Sequence, residues 1–240
     1  MQKWFRMIKF GKLTYPSGNI IKEIEKAKKL GFDYVEIGIE FLTDADILGK
    51  NKISIIKSLK KFTYNPLGHT CWWYLLNSPY EFVRKAWLSQ AKNDISIACK
   101  LGIKLLNFHF WVPAGILLEN NESRKIILRN YIKSFNELIS FAEKKRVTLM
   151  LENGEEKFDY YKYILDRVPK LKVHFDVGHA FISGGIKTIR KFVSFFGDRI
   201  AHIHIHDNHG KQDEHFALKK GKINWRQVVY LLKNQNMIKP

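Results

Sequence analysis

Hydrophobic and polar positions alternate in two rhythms along this chain, short runs with a period of two and longer runs with a period near 3.6. MIKFGKLTYP (7–16) predicts a first strand and its turn, and NIIKEIEKAKKLG (19–31) an amphipathic helix closed by a glycine where helices favour one. Strand FDYVEIGIE (32–40) follows, then a helix in ILGKNKISIIKSLKKF and a strand in FTYNPLGHT (62–70). Helix EFVRKAWLSQAKNDISIACKLG leads to strand IKLLNFHF (103–110), and helix SRKIILRNYIKSFNELISFAEKKR to strand VTLMLEN (147–153). FDYYKYILDRV precedes strand KVHFDVGHA (172–180), IKTIRKFVSFFG precedes strand AHIHIHDN (201–208), and NWRQVVYLLKNQ is the last predicted helix.

Repeated βα units imply parallel strands covered by helices. Eight of them close a (β/α)8 barrel of about 250 residues. Seven are legible here in one run without a linker, so the expected architecture is α/β, a single TIM (β/α)8-type barrel domain over residues 1–240 that lacks its eighth strand. A doubly wound open sheet is the alternative, but no GxGxxG or P-loop accompanies it. The chain stops at MIKP, where the eighth strand is due. Strands one and seven are therefore expected to carry open edges, which invite self-association or cover by the C-terminal helix.

Barrel enzymes place their chemistry at the C-terminal ends of strands. Strand three ends at His69, strand four at His109, strand five at Glu152, and strand six at Asp176 with His179 just beyond. Strand seven carries His202, His204 and His206, and the loop after it holds Asp213 and His215. The two-residue period turns His202, His204 and His206 to one face and Ile203 and Ile205 to the other, against the helices. By the same phase His174 and Asp176 face inward while Val173, Phe175 and Val177 face outward, and Glu36 also points in. Imidazoles and carboxylates gathered in a barrel are costly unless paired or metal-bound, and they are the side chains that bind zinc and its relatives. A metal cluster explains the set; hydrogen-bonded packing is the alternative for any one member, and it is the reading assigned to His174, His202, His206 and His209.

Composition changes the picture in one respect, a net charge of +18, which attracts polyanions or phosphorylated substrates. No run of about 18 apolar residues predicts a membrane span. The two cysteines, Cys71 and Cys99, show neither a disulfide framework nor CxxC spacing, which makes a reducing, cytoplasmic setting the default.

The pieces GHTCWWYLLNSP (68–79), KLLNFH (104–109), MLEN (150–153), FDVGHA (175–180) and IHIHDN with KQDEH (203–215) resemble the xylose isomerase-like barrel superfamily, and within it the endonuclease IV branch, AP endonuclease family 2. Glu152, Asp176 and His204 are shared with the superfamily's sugar isomerases and epimerases; His69, His109 and the Asp213/His215 pair fit the endonuclease IV pattern. The resemblance implies three divalent metals. One would sit on His69, His109 and Glu152, a second on Glu152, Asp176 and His204, and a third on His179, Asp213 and His215. Glu152, shared by two of them, is the candidate catalytic residue. The family's last ligand is a glutamate ending strand eight, so the second metal is one carboxylate short in this chain. Zinc suits the donors; manganese and iron fit the same set.

The activity so implied is metal-dependent hydrolysis of a phosphodiester at an abasic or damaged site in DNA, a partner consistent with the basic charge. Lys219, Lys220 and Lys222 are the candidate basic contacts. Trp72, Trp73 and Tyr74 either stack on a base or sugar or pack at the barrel rim, and Trp72 and Tyr74 are kept as substrate-contact candidates. The alternative is a sugar or sugar-phosphate isomerase or epimerase with one metal on Glu152, Asp176 and His204 and with His179 contacting substrate; Glu155 and Glu156 either supply its acid–base chemistry or, the favoured reading, solvate the start of the next helix. A third reading is a catalytically incomplete relative that binds metal or nucleic acid.

Overall fold

A computed structural model describes residues 8–15, 18–40, 51–112 and 119–234. The predicted helix residues 47–50 and 235, and the first residue of the predicted strand at 7, lie outside them. Strands β1 (Gly11–Leu13), β2 (Tyr34–Ile39), β3 (Leu67–Thr70), β4 (Leu105–His109), β5 (Thr148–Glu152), β6 (Lys172–Asp176) and β7 (Ile200–His204) pair in that order, all parallel. Between and after them run helices α1 (Ile20–Lys29), α2 (Lys52–Leu59), α3 (Glu81–Lys100), α4 (Asn121–Lys144), α5 (Phe158–Arg167), α6 (Val177–Phe196) and α7 (Trp225–Asn234). Among the described residues this is a TIM-type α/β barrel of seven strands, in which β7 and β1 do not pair.

Side-chain alternation makes the two layers. Val35, Ile37, Ile39, Leu106, Phe108, Leu149, Leu151, Val173 and Phe175 are all at most 2% exposed and form the core between sheet and helices. Burial of such side chains contributes about 1.5–3 kcal/mol each. The opposite phase puts Glu36, His69, Asn107, Glu152, His174 and Asp176 inside the barrel, where all are buried. Two inward contacts reach from β2 to β7, Tyr34 Oη to His202 Nε2 at 2.8 Å and Glu36 Oε2 to His204 Nε2 at 2.7 Å. They join the open sheet's two sides by polar bonds where a barrel strand would otherwise supply backbone pairing.

Several helix starts are set by side-chain caps that satisfy free backbone N–H groups. Asn19 accepts from Lys22 N at 3.0 Å, and Asn120 accepts from Glu122 N and Ser123 N at 2.9 and 3.0 Å. The third such cap departs from the sequence expectation. Residues 172–180 do not form one strand; β6 ends at Asp176, whose Oδ1 accepts from His179 N at 2.7 Å and starts α6 immediately. Helix α6 in turn begins earlier than the pattern predicts and breaks at Gly184 and Gly185, the latter at φ 65°, a left-handed backbone that glycine adopts without a Cβ penalty. Strand β7 likewise stops at His204, so Ile205, expected against the helices, is 42% exposed.

Candidate metal centre

The register of the parallel strands brings the predicted side chains to one level. His109 lies opposite Glu152, Glu152 opposite His174, and Asp176 opposite His204. Glu152 sits at the middle. Its Oε2 is 3.1 Å from His109 Nε2 and 3.6 Å from His69 Nε2, while its Oε1 is 3.2 Å from His204 Nδ1. Asp176 Oδ2 is 3.7 Å from the same His204 nitrogen. Helix α6 places His179 one turn beyond Asp176, and its Nε2 meets Asp213 Oδ2 at 3.3 Å; Asp213 Oδ1 is 3.0 Å from His215 Nδ1. All eight predicted ligand-type residues thus converge on one continuous cluster at the C-terminal end of the sheet.

Several supporting residues have roles that strand phase alone does not reveal. Asn107 Nδ2 donates to Glu152 Oε2. Asn153 clamps β5 to β6, donating to Asp176 O and accepting from Asp176 N, both at 2.9 Å, and its own carbonyl lies 3.0 Å from His179 Nδ1. That contact takes the His179 Nδ1 proton, so that Nε2, which faces Asp213 at 3.3 Å, is the nitrogen that would ligate an ion once its own proton is displaced. His206, read from sequence as support, is closer to the cluster than expected: Nε2 lies 3.1 Å from Asp176 Oδ1 and 3.6 Å from Asp213 Oδ1, and its ring stacks on His215 at 4.1 Å. Room for it depends on Gly178, where a Cβ would stand 2.1 Å from His206 Cε1. His209 instead pairs with Glu214, 3.0 Å away on the exposed side of the loop.

The loop bearing Asp213 and His215 is built on Asp207, one of the carboxylates of the histidine-rich stretch. Fully buried, it accepts from Asn208 N, Ile223 N, Lys219 N and Trp225 Nε1 at 2.8–3.2 Å. An antiparallel bridge to Phe216 closes the loop. His215 and Lys219 hold left-handed backbones, φ 48° and 71°, so the loop stores strain that these bonds offset. Gly221 permits the approach, because a Cβ there would fall 2.3 Å from Asp207 Oδ1.

The substrate-contact candidates separate. Trp72 is 52% exposed and makes edge contacts with Trp73 and Trp111 at 5.4 and 5.3 Å, an aromatic rim beside His69 that the sequence reading did not extend to Trp111. Tyr74 is corrected. Its ring is 6% exposed, packed on Trp87 and Phe108, and its hydroxyl donates to Asp94 of α3, so it is a core residue with no face left for substrate. Lys219, Lys220 and Lys222 are exposed on the loop after the last ligands, and their backbone N–H groups rather than their ammonium groups brace it.

Charge in the cluster is divided by position. Burial alone would raise Glu152, yet the adjacent His174, His109 and His204 hold its carboxyl well below the ordinary value. Burial opposes a charged His179, but Asp176 and Asp213 raise it to about 10. Deeper in, burial and neighbouring imidazoles push His174 and His202 down, favouring the neutral forms. Glu156, four residues past Glu152, is raised to about 7 by burial. Ligand atoms of His69, Glu152 and His204, of Asp176, His179 and His206, and of His206, Asp213 and His215 lie within 4.8 Å of one another in each group. Neutral imidazole and carboxylate at that spacing fit divalent ions, which would replace the protons that otherwise balance the carboxylates.

The class of molecule is therefore an α/β barrel with a histidine–carboxylate donor cluster at its strand ends. Residues 24–240 match the family described as xylose isomerase-like TIM barrel, and the chain belongs to that family. It is 31% identical to Uncharacterized protein MJ1614 of Methanocaldococcus jannaschii over 86% of this chain and 79% of that one. It is 28% identical to Probable endonuclease 4 of Aquifex aeolicus over 95% of this chain and 88% of the relative. Among solved structures, a D-tagatose 3-epimerase-like protein shares the fold with a TM-score of 0.80 at 24% identity, over 95% of this chain and 87% of that one. Among the described residues no helix is long and apolar enough to cross a membrane.

Proposed function

We propose that this chain is a divalent-metal-dependent phosphodiester hydrolase of the endonuclease IV type, acting on abasic or otherwise damaged DNA. The observation that carries the reading is the junction of two donor sets. His179, Asp213 and His215 meet beside the Glu152-centred set, and His69 and His109 join Glu152 from β3 and β4. A single-metal isomerase needs none of His69, His109, Asp213 and His215. His69, His109 and Glu152 would hold one ion, Glu152, Asp176 and His204 a second, and His179, Asp213 and His215 a third, with zinc the best match to the donors. Bound there, divalent ions supply a water of lowered pKa and positive charge for the phosphate oxygens. Asn153 and Asp207 keep His179 and the Asp213/His215 loop in place. Trp72 and Trp111 offer aromatic edges to an unstacked nucleotide, and the net charge of +18 attracts the DNA backbone. The likeness to the Aquifex aeolicus protein supports the same reading.

A duplex bearing one abasic site, incubated with the chain and zinc, manganese or magnesium, tests it. Incision that a chelator abolishes is expected; intact duplex under all three metals refutes it. A single-metal sugar epimerase is the second reading, favoured by one observation, the carboxyl of Glu156 raised to about 7 and suited to proton transfer near Glu152. The double variant His69→Ala/His109→Ala distinguishes the two. The hydrolase loses an ion and its incision, whereas the epimerase keeps its ion on Glu152, Asp176 and His204.

A further inference from the structure

Beneath the donor cluster a line of polar side chains crosses the barrel and ends at Glu152. Tyr34 Oη is 2.8 Å from His202 Nε2, His202 Nδ1 is 2.9 Å from His174 Nε2, and His174 Nδ1 faces Glu152 Oε2 across 3.6 Å. The last gap is an electrostatic contact rather than a formed hydrogen bond, and His174 Nδ1 has no hydrogen-bond partner among the described residues. His174 is fully buried, and among the described residues that carboxylate is the acceptor placed for its proton.

Proton counting allows two polarities, because a neutral imidazole carries one N–H and one lone pair. If Tyr34 donates to His202 Nε2, His202 must carry its proton on Nδ1 and donate to His174 Nε2. His174 then carries its proton on Nδ1, aimed at a carboxylate. The reverse polarity would leave the His174 Nδ1 lone pair facing the Glu152 anion with no proton between them, a buried repulsion that nothing offsets. Burial beside Glu36 raises the Tyr34 phenol to about 12, so the chain's first member keeps its proton. The sequence also reserves space for that ring. A Cβ on Gly11 would stand 2.1 Å from Tyr34 Cε2.

We propose that Tyr34, His202 and His174 are positioning residues, a hydrogen-bond column of single polarity running from β2 through β7 to β6, whose last member aims its Nδ1–H at Glu152. It sets both tautomers beneath the site and, with Asn107, holds Glu152 in the orientation its ligand role requires. The consequence for Glu152 rests on the metal reading above; the tautomers do not. Ligand atoms of Glu36, His174, His202 and His204 also lie within 4.8 Å of one another, and an ion among them would have to take nitrogens the column already joins.

Long-range proton–nitrogen correlation spectra of the full chain, labelled with 15N-histidine, read the tautomers directly. Signals of His174 and His202 are assigned by their loss in His174→Asn and His202→Asn. Both residues are expected as neutral Nδ1–H forms. In Tyr34→Phe, His202 Nε2 loses its donor and its resonance shifts, while both rings stay Nδ1–H because Glu152 still orients His174, and surface His209 is unchanged. Gly11→Ala, which displaces the Tyr34 ring, gives the same spectral change by an independent route. Zinc affinity measured by chelator competition falls about tenfold in His174→Asn, the usual scale for losing an outer partner of a metal ligand. An Nε2–H tautomer at either residue, a charged imidazole, or ligation-sized shifts of His174 and His202 on adding zinc would overturn the column. Expected tautomers in a chain that binds no zinc would overturn the role assigned to Glu152 while the column's polarity stands.

Discussion

Asp207→Asn is the sharpest perturbation of the loop that carries Asp213 and His215. The substitution preserves shape but converts one of two accepting oxygens into an NH2 group. Oδ1 accepts from Asn208 N at 2.9 Å and Ile223 N at 3.2 Å; Oδ2 accepts from Lys219 N at 2.8 Å and Trp225 Nε1 at 2.9 Å. Whichever way the amide turns, two N–H donors lose their acceptor and face another donor. At about 1–3 kcal/mol for each buried donor left unsatisfied, the cost is about 2–6 kcal/mol. That is a large share of the roughly 5–15 kcal/mol by which a domain is stable. Urea unfolding followed by circular dichroism measures it, and zinc titration shows whether the Asp213/His215 donors are lost before the rest. Unfolding free energies within about 0.5 kcal/mol of each other, the range of ordinary surface changes, together with unaltered zinc binding, would refute the reasoning.

Other changes probe the cluster from different sides. Gly178→Ala drives a methyl group to within 2.1 Å of His206 Cε1, so the ring must leave Asp176 and its stack on His215. An overpacking loss of about 1–3 kcal/mol in thermal unfolding is expected. Glu156 has its folded pKa raised from 4.5 to about 7, so the folded state holds this proton more tightly than the unfolded one. Its contribution to stability is full below pH 4.5 and is lost as pH rises through 7. Wild type should therefore fall relative to Glu156→Gln by up to about 3 kcal/mol across that window, read from unfolding curves at several pH values, and a flat difference would contradict it.

The alternation of Val35, Ile37 and Ile39 with Tyr34, Glu36 and Gly38, and of Val173 and Phe175 with His174 and Asp176, could be read from the chain because each strand separates an apolar layer from a polar barrel interior. Strand ends then located His69, His109 and Glu152 without structural help. What stayed hidden depends on contacts distant in sequence or on a local choice between elements. Asp176 is compatible with a continuing strand until its side chain caps His179 N, and that single bond turns VGHA from strand into helix. His206 shares the phase of His204, but phase says nothing once β7 has ended; its position is set by Gly178 and Asp176 from another element. Tyr74 follows the exposed Trp72 by two residues, yet Asp94, twenty positions on, draws its hydroxyl into the core. Asn107 shares the inward phase of His109 and Asn153 follows Glu152, but their bracing roles stayed hidden, since an asparagine that braces a ligand and one that ends a turn look alike in a single sequence.

The central claim is that one chain gathers several divalent ions on His69, His109, Glu152, Asp176, His179, His204, Asp213 and His215. Counting the zinc ions bound per chain after metal removal and reconstitution tests it most directly. Three are expected, falling to two in the double variant Asp213→Asn/His215→Ala. A count of one in wild type, unchanged by that double variant, would contradict it.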